Sequence, residues 1–130
     1  MVVDTSALFA IAFDEPERSS FARAVKMASH RSISAATLVE CVAVFAGRRP
    51  EQDPSPVIDL LVQELGIEVI PFTAAHYRVA AAGLLAFGKG RHPARLNLGD
   101  SFAYALAKTS GEPLLFKGDD FSRTDIHSAL

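Results

Sequence analysis

Carboxylates interrupt the most apolar stretches of this chain, and their placement constrains its fold more than any other feature. Asp4 follows the triplet Met1-Val2-Val3. Glu40 lies inside Ala35-Ala36-Thr37-Leu38-Val39-Glu40-Cys41-Val42-Ala43-Val44-Phe45, and Asp100 opens Leu98-Gly99-Asp100-Ser101-Phe102-Ala103-Tyr104-Ala105-Leu106. Asp119 and Asp120 directly follow Pro113-Leu114-Leu115-Phe116-Lys117-Gly118. Such segments form core, and a charge carried into core needs a partner that offsets its lost hydration. Cations are scarce beside these acids in sequence. A divalent metal ion is the economical partner.

The surrounding pattern says how the acids converge. Met1 to Val3 reads as a short buried strand. Thr5-Ser6 offers a cap for a helix over Ala7 to Phe13, and Glu15-Pro16-Glu17 opens a second helix to about Ala28. Arg31 to Ser34 reads as a strand, with Ser34 capping the Glu40 helix, which stops near Gly47. Ser55-Pro56 starts a helix that Gly66 ends. Ile67 to Phe72, broken by Pro71, reads as a strand, and Thr73 caps a helix to about Phe87. Asn97-Leu98-Gly99-Asp100 resembles a capping box with Asp in place of Glu, opening a helix to about Ser110. Leu114 to Lys117 is the last strand. Short apolar strands alternating with helices predict an α/β fold whose mostly parallel sheet is covered on both faces. Sites in such sheets form beyond the carboxyl ends of the strands, where helices also begin. Asp4, Asp119, Asp100 and Glu40 all belong to that edge.

Two carboxylates ~4 Å apart repel by about 4 kcal/mol at an effective dielectric near 20. A cluster must raise its pKa values or hold a cation. Oxygen ligands suit Mg²⁺ or Mn²⁺. Zinc is disfavoured, because His30, His76, His92 and His127 show no ligand-like pairing and Cys41 is solitary. Magnesium held by carboxylates commonly acts on phosphate groups, which favours phosphodiester hydrolysis.

With these residues in place, the chain resembles a known family. Val2-Val3-Asp4-Thr5-Ser6-Ala7-Leu8, the Glu40 helix, Leu98-Gly99-Asp100-Ser101-Phe102-Ala103-Tyr104-Ala105 and Leu114-Leu115-Phe116-Lys117-Gly118-Asp119-Asp120-Phe121 are similar to PIN-domain ribonucleases, and most of all to VapC-type toxins of type II toxin–antitoxin pairs. The resemblance runs over residues 1–130. It implies a three-layer α/β/α domain, Mg²⁺-dependent endoribonuclease activity, a homodimer, and inhibition by a small VapB-type antitoxin. Asp4, Glu40 and Asp100 match the family's first three acids, and Ser6 matches its small hydroxyl residue beside the first. Asp119 and Asp120 compete for the fourth position. Asp119, nearer the strand end, is favoured, with Asp120 as a supporting ligand or a cap for the turn Ser122-Arg123-Thr124.

Each acid also has an ordinary reading. Asp4 can cap the next helix, although Thr5 and Ser6 already supply oxygens for that. Asp100 favours its helix dipole, and Asp119-Asp120 suit a turn. Glu40 is hardest to explain so, with apolar turns on both sides. A receiver-like phosphoacceptor domain is the main alternative enzyme-free class, but Val69-Ile70-Pro71-Phe72-Thr73 supplies no phosphoacceptor Asp. A catalytically silent RNA- or partner-binding module would not need the full acid set. Lys89, Arg91, His92 and Arg95 form a basic loop that can guide an RNA backbone or simply stay solvated. The net charge of -2 excludes a protein that coats nucleic acid by bulk charge. Cys41 reads as a buried small hydrophobe. Its solitude and the lack of a leader or spanning segment predict a soluble cytoplasmic protein.

Overall fold

Val2 and Val3 point to opposite faces of one strand, and that alternation divides the core in two. The computed structural model describes residues 1–130. Its strands are β1 (Val2–Val3), β2 (Ser32–Ser34), β3 (Glu68–Ile70) and β4 (Leu114–Leu115), all parallel in the order β3-β2-β1-β4. The helices are α1 (Thr5–Ala12), α2 (Arg18–Met27), α3 (Ala35–Arg48), α4 (Ser55–Glu64), α5 (Ala74–Phe87) and α6 (Leu98–Ser110). Val3, Ile33 and Leu115 join apolar residues of α1 to α4 in one cluster, while Val2 and Leu114 join Ala103, Tyr104, Leu106 and Ala107 of α6 in the other. Each large buried aliphatic side chain contributes about 1.5–3 kcal/mol, so both layers are anchored by the sheet's short strands. Ser32 and Ser34 are buried and small, which lets α6 pack close to β2. The three-layer α/β/α arrangement expected from the alternation is present.

The caps agree with the sequence where a short polar side chain precedes an apolar run. The Ser34 hydroxyl accepts the Ala36 N–H at 3.2 Å. Asn97 and Asp100 form the expected reciprocal box, with Asn97 N–H to Asp100 Oδ2 at 2.7 Å and Asp100 N–H to Asn97 Oδ1 at 3.0 Å. Gly111 closes α6 at φ 70°, a left-handed position that favours glycine. The α1 cap is corrected. Asp4 itself is extended and its Oδ2 accepts the Ser6 N–H at 3.0 Å, so α1 starts at Thr5 rather than Ala7.

The strands are shorter than their apolar runs. Pro71 cannot donate to the ladder and ends β3 at Ile70. Beyond β4, the Lys117 N–H leaves the sheet direction and donates to the Ser6 hydroxyl at 2.9 Å. The sheet order places β2 on one side of β1 and β4 on the other. The chain therefore reverses its direction of winding between β1 and β4, and a crevice opens outside their carboxyl ends. No helix is long and apolar enough to cross a membrane.

Candidate active site

Asp4 leaves β1 at that crevice and is held from two sides. The Ser6 hydroxyl donates to its Oδ2 at 2.5 Å while accepting the Lys117 N–H, so the segment after β4 is tied to the acid after β1. Only 3% of Asp4 is exposed, and its Oδ1 has no hydrogen-bond partner. Burial pushes the Asp4 carboxyl above the ordinary carboxylate range, against the pull of Ser6 and Thr5. A buried oxygen without a donor costs about 1–3 kcal/mol or more. That cost needs an explanation.

Glu40, a turn and a half into α3, comes to the same place. The Thr5 hydroxyl donates to Glu40 Oε2 at 2.6 Å, and the Cys41 thiol lies 3.5 Å from the Thr5 oxygen. The carboxylate lies over Gly99, where any Cβ would overlap it. Glycine here provides room for a charge rather than backbone freedom. Burial raises the Glu40 pKa, the Thr5 bond opposes this, and the charge of Asp4 raises it further. Asp100, next to Gly99, is pushed up to about 7 by burial and then, against its Asn97 bond, by the charges of Asp4, Glu40 and Asp120. Asp4, Glu40 and Asp100 thus form one mutually repelling group. Sequence reasoning misses Thr5 and Gly99 as parts of this group. Their only local signal is that each adjoins a site acid.

The segment after β4 departs from expectation. Asp120 makes no side-chain cap bond to the 3₁₀ turn Phe121–Arg123. Its charge instead bears on both Asp4 and Asp100. Asp119 accepts the Ser122 hydroxyl through its backbone carbonyl at 2.6 Å. Both side chains are exposed. Of the two roles expected for Asp120, the cap is absent, which leaves the supporting ligand.

The nearest cation in sequence, Lys117, is committed elsewhere. Its Nζ lies 2.7 Å from Glu15 and 2.8 Å from Glu17. No salt bridge neutralises Asp4, Glu40, Asp100 or Asp120. As the side chains stand, no three His, Cys, Asp or Glu groups close around one point that a metal ion could occupy. Ser6, Thr5 and Asn97 each hold one carboxylate by a hydrogen bond. The donor chemistry nevertheless suits a hard divalent cation, being all oxygen and including the orphaned Asp4 Oδ1.

Comparison with known proteins gives the same frame. A PIN-domain family model matches residues 1–127. Ribonuclease VapC42 of Mycobacterium tuberculosis is 44% identical over 130 residues, spanning 99% of this chain and 98% of that protein. Ribonuclease VapC30 of the same organism is 43% identical over 126 residues, spanning 97% and 95%. Among solved structures, Mycobacterium tuberculosis VapC20, described as a sarcin-ricin loop cleaving toxin, matches with a TM-score of 0.74 at 19% identity, covering 96% of this chain and 95% of that one. A toxin–antitoxin complex from Klebsiella pneumoniae matches with a TM-score of 0.69 at 17% identity, covering 95% and 92%. At those identities the two structures establish the fold.

Proposed function

This chain belongs to the PIN-domain family, and from that premise we propose that it is a metal-dependent endoribonuclease serving as the toxin of a type II toxin–antitoxin pair. The observation that carries the chemistry is the buried, unpartnered Oδ1 of Asp4 amid Glu40, Asp100 and Asp120, with no protein cation to balance them. Asp4, Asp100 and Glu40 would hold Mg²⁺ or Mn²⁺, with Asp120 or Asp119 completing the set. When bound, such an ion supplies the charge stabilisation that phosphodiester hydrolysis needs. The protein's own contribution is orientation. Ser6 and the Lys117 N–H fix Asp4, Thr5 fixes Glu40, and Asn97 fixes Asp100.

The toxin role is supported by relatives that are themselves named VapC ribonucleases, and by the shared fold of a solved toxin–antitoxin complex. A small VapB-type antitoxin is the proposed partner, RNA the substrate, and a homodimer the proposed assembly. The purified protein should cleave RNA with Mg²⁺ or Mn²⁺ and stop in EDTA. Expression should arrest growth, and co-expression of the neighbouring antitoxin should relieve the arrest. Cleavage that is indifferent to EDTA would overturn the metal assignment, and harmless expression of a cleaving protein would overturn the toxin role.

A further inference from the structure

The cations of this protein are unevenly employed. Arg18, Lys108 and Lys117 sit in salt bridges, Arg31 donates to the carbonyls of Val25, Ala28 and Gly66, and Arg48 lies over the rings of Phe9 and Phe13. Arg23, Lys26, Arg49, Arg78 and Arg123 are unpaired but scattered, whereas the loop between α5 and α6 gathers its cations in one short segment. Lys89, Arg91 and Arg95 are exposed within seven residues of one another and none is in a salt bridge. They line an open concavity of about 470 Å³ whose other walls are Gly90, His92 and Pro93, with no apolar side chain except the proline ring.

Like charges this close repel, and an unconstrained loop would spread them apart. This loop is constrained. The Lys89 N–H donates to the Leu96 carbonyl at 3.1 Å, and the Leu96 N–H to the Phe87 carbonyl at 3.0 Å, closing its neck. The Arg91 and His92 N–H groups both reach the Gly88 carbonyl, and the Arg95 N–H reaches that of His92 at 3.0 Å. Gly90 at φ 82° and Arg95 at φ 58° turn the chain back through left-handed positions. Ala94 and Leu96 are buried beneath it. The His92 ring stands edge-on to Phe87 at 5.2 Å, and its Nδ1 accepts the Ala94 N–H at 3.1 Å. Its Nε2 then carries the proton of the neutral ring and is a donor. The result is a set of cations and a ring donor carried on an internally bonded loop backbone.

Its position gives that anion an identity. Arg95 precedes Asp100 by five residues, so their Cα atoms lie within about 18 Å even for an extended chain. The intervening Asn97 N–H is bonded to the Asp100 carboxylate itself. We propose that this loop is a binding site for backbone phosphates of single-stranded RNA, holding the strand a few nucleotides from the acid edge. The proposal rests on the nuclease reading for the identity of the polyanion. The acid edge alone repels a polyanion, and cations at its rim offset that repulsion. Guanidinium groups pair with phosphate oxygens in two-point fashion, while Lys89 adds a point charge. Because the loop backbone is pinned before binding, the ordering cost is confined to the side chains.

The test is RNA binding in EDTA, read by fluorescence anisotropy of a labelled 20-nucleotide single strand over a range of salt. The triple variant Lys89→Gln, Arg91→Gln, Arg95→Asn removes the charges, with Asn chosen because it tolerates the left-handed position. Its affinity should fall roughly tenfold or more, and the slope of log affinity against log salt should flatten by about 2, near 0.7 for each phosphate no longer neutralised. Arg91→Gln alone, a milder change, should flatten it by about 0.7. A control that neutralises Arg23 and Lys26, exposed on α2, should change neither quantity. Unchanged binding in the folded loop variants, equal losses in the control, or no measurable binding by the wild-type protein would each overturn the proposal. Since no cleavage is needed, a protein that binds through the loop yet fails to cut RNA with Mg²⁺ would break the nuclease reading and leave this one standing.

Discussion

The two ends of the sheet handle charge in opposite ways. At the amino ends of the strands, the terminal ammonium lies 2.7 Å from Glu112, whose other oxygen lies 2.7 Å from His30 Nδ1, and His30 Nε2 lies 3.0 Å from Glu68. Positive and negative groups alternate there. Burial alone would raise the Glu112 carboxyl, but the ammonium and His30 hold it below its ordinary value, and the two glutamates raise His30. At the carboxyl ends, Asp4, Glu40 and Asp100 are all pushed upward, first by burial. One end is balanced and the other is not. Balanced charge stabilises the fold that holds it, whereas unbalanced buried charge costs stability and persists where function requires it. Concavity does not make this distinction: the largest cleft, about 520 Å³, lies at the balanced end beside Met1, His30 and Glu112.

The comparison breaks most severely if the unbalanced end proves dispensable. Asp4→Asn should lower Mg²⁺-dependent RNA cleavage by about a hundredfold or more while circular dichroism stays native. Full cleavage by that folded variant would remove Asp4 from the reaction. Gly99→Ala tests the acid cluster without touching an acid. The new methyl must displace Glu40, so cleavage should fall by up to about a hundredfold, on the order of a 1 Å misplacement. If rates are unaffected, Glu40 plays no part.

The fourth acid is next in size. Asp120→Asn should reduce cleavage more than Asp119→Asn does, because the charge of Asp120 reaches Asp4 and Asp100. Parallel rate measurements with the opposite ranking would restore Asp119 to the role that its place nearer the strand end suggests.

Stability against pH sharpens the contrast further. The folded Asp100 carboxyl, near 7, lies above the ordinary 3.8. Folding therefore favours its protonated form, and stability is greatest below the ordinary value and declines as pH rises from about 4 to 7. Metal-free Asp100→Asn should escape this decline and be more stable than wild type at pH 8 by about 1–2 kcal/mol, after discounting for screening at an open edge. Thermal melts in EDTA at pH 5 and 8 would show it, and equal pH slopes in both proteins would refute it. Glu112 has the opposite sign. Its depressed pKa stabilises above the ordinary 4.5 and is lost as pH falls through the depressed value. Glu112→Gln should thus cost up to about 1 kcal/mol at pH 7, less in acid, and leave RNA cleavage intact. A loss of cleavage with unchanged melting would make the balanced end functional after all.

Features governed by neighbours in the chain are legible in the order of residues. The Ser34 cap, the Asn97–Asp100 box, the stop at Gly111 and the alternation of strands and helices depend on side chains within four residues of the backbone they bond. The acids Asp4, Glu40 and Asp100 stand out for the same reason, since a charge inside an apolar run contradicts its own surroundings. The capping role of Asp4 is less legible. By sequence Thr5 and Ser6 are free to cap α1, yet Thr5 is engaged by Glu40 across 35 residues and Ser6 by Lys117 across 111.

What the sequence by itself determined was the fold class and the charges that this fold must bury. Burial periodicity, capping and turn chemistry are short-range, so they can be read along the chain. Only the tertiary structure decided how those charges are partnered. It set His30 between glutamates 38 and 82 residues away, drew Lys117 off to Glu15 and Glu17, laid Glu40 over Gly99, and brought the charge of Asp120 to bear on the site. Electrostatic energy depends on distance through space and on shielding from water, and the linear sequence specifies neither until the chain has packed.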